Sequence, residues 1–323
     1  MLTDRQPRVS MAHLPTPLEP LPRLTAALGG PQLWVKRDDQ TGLATGGNKT
    51  RKLEFLVAEA LAQGADTLVT CGAGQSNHAR QTAAAAARFG FRCTLVLRGP
   101  RPAASQGNLL LDRLLGAEIA WAEDVAVDER LEKVMAELGE RGRRPYLIPY
   151  GGSNPVGATG YVAAMEELLA QCAQRGLGFD GIVLASSSGG TQAGLVLAAR
   201  ARRYAGRVLG ISVALPAEQL RRDLAELASA TAAHLGIGIG FAEDDFDVDD
   251  SYLGGGYGVV SSLEREAVRT AARSEGLLLD PVYTGRAFGG LMDLIRRGVF
   301  AAQERLVFWH TGGVASLFAH PDI

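Results

Sequence analysis

The strongest constraint on this chain is a repeated alternation of short, wholly apolar runs with longer Ala- and Leu-rich stretches. TLVT (67–70), CTLVL (93–97), AEIAW (117–121) and YLIP (146–149) are interleaved with helical stretches at 49–63, 77–89, 106–115 and 128–140. Strands that are brief and apolar throughout have both faces covered, as in a parallel sheet flanked by helices. The pattern restarts with GIVLAS (181–186), a helix over 191–204 and VLGISV (208–213). Helices over 216–235, 262–276 and 286–297 follow, and RLVFWH (305–310) with a helix over 314–319 closes the chain. Such βα alternation predicts an α/β fold with right-handed crossovers. The segment around Gly151, Gly152 and Pro155 reads as the crossing between two sheets, each with its own core. The cleft between them is the natural ligand site.

Composition removes several function classes. A chain of 323 residues, 46% apolar, supports about two domains and a sizeable core. With 33 basic against 35 acidic residues it lacks the electrostatic footprint of a nucleic-acid or anionic-lipid binder. Cys71, Cys93 and Cys172 are far apart with no CxxC pair, which fits a reducing cytoplasm better than a disulfide framework. The N-terminus, MLTDRQPRVSMAHLPTPLEP, has charges and prolines where a signal peptide needs an apolar core. No apolar run reaches the ~18 residues of a membrane span. The expectation is a cytoplasmic protein with no membrane partner. Five dispersed histidines offer no zinc spacing, and no G-x-S-x-G elbow occurs. The acidic cluster Asp244, Asp245, Asp247, Asp249 and Asp250, in an irregular stretch at 236–260, lacks the central Gly and final Glu of an EF-hand loop. It reads as a solvated loop.

Three glycine-rich stations could carry chemistry. In TGGNKTRKLEF, Lys49 and Lys52 are i and i+3 on one helical face. This is either a turn followed by a solvated basic face or a lysine whose amine, crowded by a second cation, becomes nucleophilic. In CGAGQSNHAR, an apolar strand runs into Gln75-Ser76-Asn77 at a helix start. That is either an ordinary N-cap or an anion site suited to a substrate carboxylate. In ASSSGGTQAG, Ser186 to Thr191 opens a helix after a strand. Small residues, hydroxyls and free N–H groups there can encircle a phosphate. The loop is neither G-x-G-x-x-G nor a P-loop, which argues against a dinucleotide and against nucleotide hydrolysis. Tyr283 and Thr284, in DPVYTG, each read alone as a buried structural residue.

Taken together, GGNKTRKLE, GAGQSNHARQTA, SSSGGTQAG, DPVYTG and HTGG, in this order, resemble the fold type II pyridoxal-phosphate enzymes. Within them, the chain resembles the group of D-cysteine desulfhydrase, L-cysteate sulfo-lyase and 1-aminocyclopropane-1-carboxylate deaminase. TPLEPL and WVKRDD (34–39) also match. The resemblance implies a tryptophan-synthase-β-like fold of two open twisted, mostly parallel sheets. It divides the chain into a large cofactor-binding domain, 1–50 plus 159–323, and a small α/β domain, 51–158, with pyridoxal phosphate in the cleft and a homodimer as the assembly.

By the same resemblance Lys49 bonds covalently to pyridoxal phosphate. Lys52, Ser188, Gly189, Gly190 and Thr191 hold its phosphate, and Asn77 meets its ring hydroxyl. Ser76, Asn77 and His78 meet the substrate, with Ser76 also an acid or base beside Lys49. Tyr257 and Tyr283 match two active-site tyrosines, and His310 to Gly313 lie near the ring. Thr284 faces the pyridine nitrogen, where the deaminases carry a glutamate. A hydroxyl is no anion and cannot keep that nitrogen protonated. A weaker electron sink suits β-elimination of sulfur better than opening a cyclopropane. The expected activity is therefore a carbon–sulfur β-lyase acting on a small amino acid, releasing pyruvate and ammonia with sulfide (from D-cysteine) or sulfite (from L-cysteate). The deaminase and a non-catalytic ligand-binding copy of the fold are the alternatives. Sulfite release would benefit from a fixed cation, for which Arg286 and His78 are the candidates.

Overall fold

The computed structural model describes residues 1–323. In chain order the elements begin with β1 (Leu18–Pro20), α1 (Pro22–Leu28), β2 (Gln32–Arg37), α2 (Lys49–Ala62), β3 (Thr67–Ala73), α3 (Asn77–Phe89) and β4 (Arg92–Arg98). Next come α4 (Gly107–Leu114), β5 (Glu118–Trp121), α5 (Val127–Glu140), β6 (Pro145–Leu147), α6 (Pro155–Arg175), β7 (Gly181–Ser186) and α7 (Gly190–Ala201). The chain closes with β8 (Arg207–Ser212), α8 (Ala217–His234), β9 (Asp247–Asp249), α9 (Ser262–Glu275), α10 (Thr284–Arg296), β10 (Arg305–His310) and α11 (Val314–Leu317).

Two sheets result. The first has the order β5-β4-β3-β6 and is parallel throughout. The second has the order β1-β2-β10-β7-β8-β9, and only its β1–β2 edge is antiparallel. Period-two alternation along β10 explains how one strand serves two cores. Val307 and Trp309 join the layer of α6, α7 and α8, while Leu306 and Phe308 join that of α1, α9 and α10. Sheet and helix assignments thus match the expected α/β class.

Three features depart from the sequence reading. The 21-residue helix α6 escapes it, because Gly157, Ala158, Gly160, Ala163 and Ala164 blur the apolar periodicity. Those small residues serve close packing: a Cβ on Gly160 would lie 2.4 Å from the Arg51 carbonyl oxygen. Likewise β2 carries a charge in mid-strand, Lys36, which is fully buried because its amine is hydrogen-bonded to Gln171 at 2.7 Å and paired with Glu167. The stretch 236–260 is not uniformly irregular either. Its Asp247–Asp249 forms the edge strand β9, where Asp247 pairs with Arg207 at 2.8 Å. Asp245 pairs with Arg200, and Asp250 accepts the Ala217 N–H at 2.7 Å.

Beneath the start of α2 lies a buried ionic cluster. Asp38, fully buried, accepts from Arg51 Nη2 (2.8 Å) and Nε (2.9 Å), Tyr161 Oη (2.6 Å), Trp309 Nε1 (2.8 Å) and Thr16 Oγ1 (2.9 Å). Glu167 accepts from Arg51 as well. Burial by itself pushes the Asp38 carboxyl up, and the Arg51 charge with its hydrogen bonds reverses the sign and holds it below the ordinary value. The cluster ties α2 to β10, α6 and the N-terminal segment.

Candidate active site

A cleft opens where the two sheets face each other. Its lining comes from the carboxyl ends of β3 (Ser76, Asn77, His78), β7 (Ser186 to Gly189) and β10 (Thr311, Gly312), with Lys49, Gly151, Thr191 and Tyr283. Strand ends are where open parallel sheets bind ligands. The three glycine-rich stations, separate in sequence, therefore meet in one cavity.

Lys49 is the first residue of α2 and Lys52 lies one turn on. Both amines donate to the Gly151 carbonyl oxygen at 3.1 Å. Burial lowers the Lys49 amine to about 8. Burial also lowers Lys52, and the like charge of Lys49 acts in the same direction. The i, i+3 spacing suggests crowding by a second cation as the activator of Lys49; desolvation is the larger cause. The loop that delivers Lys49 is conformationally tense, with Ala44 and Thr45 at φ of 42° and 71°. Arg80 clamps it by donating to Thr45 Oγ1 (2.6 Å), to the Gly46 carbonyl oxygen (3.1 Å) and to that of Ala44.

The segment after β7 forms a cradle with Lys52. Lys52 Nζ donates to Ser153 Oγ (3.1 Å), which is hydrogen-bonded to Ser188 Oγ (2.8 Å) and accepts the Gly190 N–H (3.2 Å). Asn48 Nδ2 donates to Thr191 Oγ1 at 3.1 Å. A Cβ on Gly190 would lie 2.7 Å from Ser153 Oγ and 2.8 Å from Lys52 Nζ, so glycine alone lets these donors converge at the start of α7. Ser186 Oγ, also in the lining, is buried with no partner.

Across the cleft, Ser76 is the N-cap of α3 and its Oγ accepts the Ala79 N–H at 3.1 Å. His78 is buried, with Nε2 2.9 Å from Thr70 Oγ1. Burial, reinforced by Lys49 and Lys52, pushes its imidazole well below the ordinary value, so it is neutral. Tyr283 and Tyr257 are joined hydroxyl to hydroxyl at 2.6 Å, and only Tyr283 lines the cleft. Burial raises Tyr257 to about 12 and holds Tyr283 well above the ordinary phenol value, so both keep their protons.

Thr284 and Arg286, like Lys52, Gly190 and Tyr257, lie outside the lining. Thr284 is fully buried at the start of α10, its hydroxyl donating to Asp280 Oδ1 (2.7 Å) and accepting the Asp280 N–H (2.9 Å). Arg286 is fully buried and is neither a surface arginine nor a cleft residue. Its Nε donates to Glu264 Oε1 (2.6 Å), while its other nitrogens hold the carbonyl oxygens of Gly256 (3.0 Å) and Val259 (2.6 Å). It braces the loop that carries Tyr257. Sequence reasoning does not place Ser153, Gly151 or Asp280 at the site, although GGSN and DPVY contain them.

The chain matches the family described as pyridoxal-phosphate dependent enzyme over residues 9–312. It is 42% identical to a 1-aminocyclopropane-1-carboxylate deaminase of Burkholderia vietnamiensis, covering 100% of this chain and 99% of that protein. It is also 42% identical to a D-cysteine desulfhydrase of Salmonella choleraesuis, covering 99% and 98%. Among solved structures, an ACC deaminase homologue superposes with a TM-score of 0.91 at 39% identity over 99% of this chain and 96% of the other. A threonine deaminase from Solanum lycopersicum (isoform 2, processed form), with a TM-score of 0.66 at 15% identity over 92% of this chain and 79% of the other, shares the fold.

Proposed function

Because the chain belongs to the pyridoxal-phosphate-dependent enzymes, we propose that it is a lyase of that family which cleaves the carbon–sulfur bond of D-cysteine, giving pyruvate, ammonia and hydrogen sulfide. The donor set fits the cofactor. The cradle of Lys52, Ser153, Ser188, Thr191 and the N-terminus of α7 suits a phosphate dianion, kept open by Gly190 and faced by the unpartnered Ser186 hydroxyl. Gly189 and Gly190 bring backbone N–H groups to it. Lys49 supplies the amine for the covalent link, and Asn77 meets the ring oxygen. Bound pyridoxal phosphate supplies an electron sink that labilises the Cα proton of an amino acid and lets a group leave from Cβ.

The chain's own residues do the rest. Lys49 Nζ, near 8 when free, is deprotonated often enough at neutral pH to take the Cα proton. Ser76 and the first N–H groups of α3 receive the substrate carboxylate, as a helix N-terminus favours an anion, with Asn77 and neutral His78 beside it. Tyr283, still protonated and braced by Tyr257, can donate a proton toward the leaving sulfur.

One observation carries the choice of leaving group. The first turn of α10 presents no charge to the cleft: the Thr284 hydroxyl is engaged by Asp280, and Arg286 is locked to Glu264. With His78 neutral as well, no cation other than the lysines faces a sulfonate, which favours sulfide over sulfite. The D enantiomer follows the Salmonella relative. A second reading, opening of 1-aminocyclopropane-1-carboxylate, is supported by the Burkholderia relatives. A homodimer in the cytoplasm, built from a large domain of 1–50 plus 159–323 and a small one of 51–158, belongs to the same proposal. The test is a 2-oxo-acid assay on D-cysteine, L-cysteine, L-cysteate and the cyclopropane amino acid, with sulfide and sulfite measured separately. Pyruvate with sulfide from D-cysteine is expected; 2-oxobutyrate as the dominant product, or sulfite from L-cysteate, would replace this reading.

A further inference from the structure

The loop that carries Ser76 and Asn77 is not free-standing. The start of α4, thirty residues further along the chain, grips it by four hydrogen bonds. Asn108 N–H donates to Gln75 Oε1 (2.9 Å), and Gln75 Nε2 donates to the Gln106 carbonyl oxygen (3.0 Å). Asn108 Nδ2 donates one hydrogen to the Gln75 carbonyl oxygen (2.9 Å) and the other to Asn77 Oδ1 (2.9 Å). Asn108 is fully buried. Gly107, at φ +54°, makes the approach possible: a Cβ there would lie 2.5 Å from Gln75 Oε1 and 2.8 Å from the Ala315 carbonyl oxygen of α11.

This arrangement settles which way the Asn77 amide faces. The Gln75 carbonyl oxygen is backbone and can only accept, so the Asn108 nitrogen must point at it. The same nitrogen lies against the Asn77 side chain, which must therefore present its oxygen to Asn108. Asn77 Nδ2, with no hydrogen-bond partner in the protein, is left as a donor at the cleft wall that Asn77 lines. We propose that Asn108 is a positioning residue that fixes Asn77 as a hydrogen-bond donor toward an anionic ligand oxygen. Resting on the reading that pyridoxal phosphate occupies the cleft, that oxygen is the cofactor's ring oxygen. A donor at an anionic oxygen favours the deprotonated form, so losing it moves the associated titration to higher pH.

The experiment follows the visible absorbance of bound cofactor in the holoenzyme against pH, together with cofactor release on dilution. Asn77→Ala removes the donor directly and is expected to raise the titration midpoint by about one pH unit and to weaken cofactor binding roughly tenfold. Asn108→Asp puts an acceptor where the donor was, so Asn77 must turn its NH₂ inward and its oxygen to the cleft. It is expected to match Asn77→Ala in direction and size, and the double variant is expected to be no worse than Asn77→Ala alone. Asn108→Ala, which merely frees Asn77, is expected to give a smaller shift in the same direction, and it serves if Asn108→Asp does not fold. If Asn77→Ala shifts the midpoint while folded Asn108 variants only lower the melting temperature, Asn108 is structural and the inference fails with the cofactor reading intact. If Asn77→Ala shifts nothing, the assignment of Asn77 to the ring oxygen fails, and the inference with it.

Discussion

Adding one methyl group at Gly190 separates the cradle's function from its stability. The Cβ of Gly190→Ala would sit 2.7 Å from Ser153 Oγ, 2.8 Å from Lys52 Nζ and 3.1 Å from Ser153 Cα. The first two are ends of side chains that can swing away, so the variant folds by displacing them. Folding loses about 1 kcal/mol for each hydrogen bond given up, up to three if Ser153 Oγ leaves Lys52, Ser188 and the Gly190 N–H together. It regains up to about 1 kcal/mol because alanine is a better helix former than glycine. The melting temperature should therefore fall by no more than about 4 °C. Phosphate binding has no such offset. Displacing Lys52 removes a hydrogen bond from a charged group, about 1.5–3 kcal/mol, which is roughly 10- to 100-fold in affinity. Equilibrium dialysis of pyridoxal phosphate, beside a thermal melt, reads both quantities. Unchanged affinity with a clash-free fold would refute the location of the phosphate.

Asp38→Asn leaves the buried Arg51 guanidinium with Glu167 as its remaining counter-charge, so the loss should lie at the low end for a broken buried pair, about 3 kcal/mol. That corresponds to roughly 6 °C in melting temperature. Because the folded Asp38 carboxyl is held below its ordinary value, its contribution is present above the unfolded value of about 3.9 and fades as pH falls through the folded one. The gap between parent and variant should narrow under acid denaturation. Covalent labelling of Lys49 in cofactor-stripped protein by an amine reagent should rise with pH around a midpoint of about 8, since only the deprotonated amine reacts. A midpoint near 10.5 would show a solvated lysine. Tyr283→Phe breaks the 2.6 Å link to Tyr257 and removes a cleft hydroxyl. Turnover should fall by roughly 10²-fold or more, as for loss of a general acid, with cofactor binding retained; parent-like turnover would remove Tyr283 from the chemistry.

What could be read in the sequence was local, and what could not was long-range. Apolar strands such as TLVT and GIVLAS declare themselves, and so do glycine-rich turns at strand ends, because their signal lies within ten residues. The order of those stations resembles the pyridoxal-phosphate enzymes, and it is the resemblance that implies Lys49, Ser76 and Ser188 on one cleft, whose lining they share. Lys36 in β2 is disguised by a partner, Glu167, that lies 131 residues away. Arg286 similarly depends on Glu264 and on the carbonyl oxygens of the 256–259 loop, none of them visible from YTGRAF. Helix α6 carries start signals, with Asn154 as N-cap and Pro155 at N1, but its glycines serve contacts with α2 and with the Gly152 turn and so break its apparent period. The origin of the Lys49 shift is hidden for the same reason: spacing reveals a neighbouring charge, whereas desolvation depends on the whole wall of the cleft.

One bond is decisive, that between the amine of Lys49 and pyridoxal phosphate. Borohydride reduction of the holoenzyme, followed by peptide mass mapping with fragmentation, locates that bond to one residue. The prediction is a pyridoxyl adduct on Lys49 with Lys52 unmodified. An adduct on Lys52, or no adduct on this peptide, would contradict the account at its root.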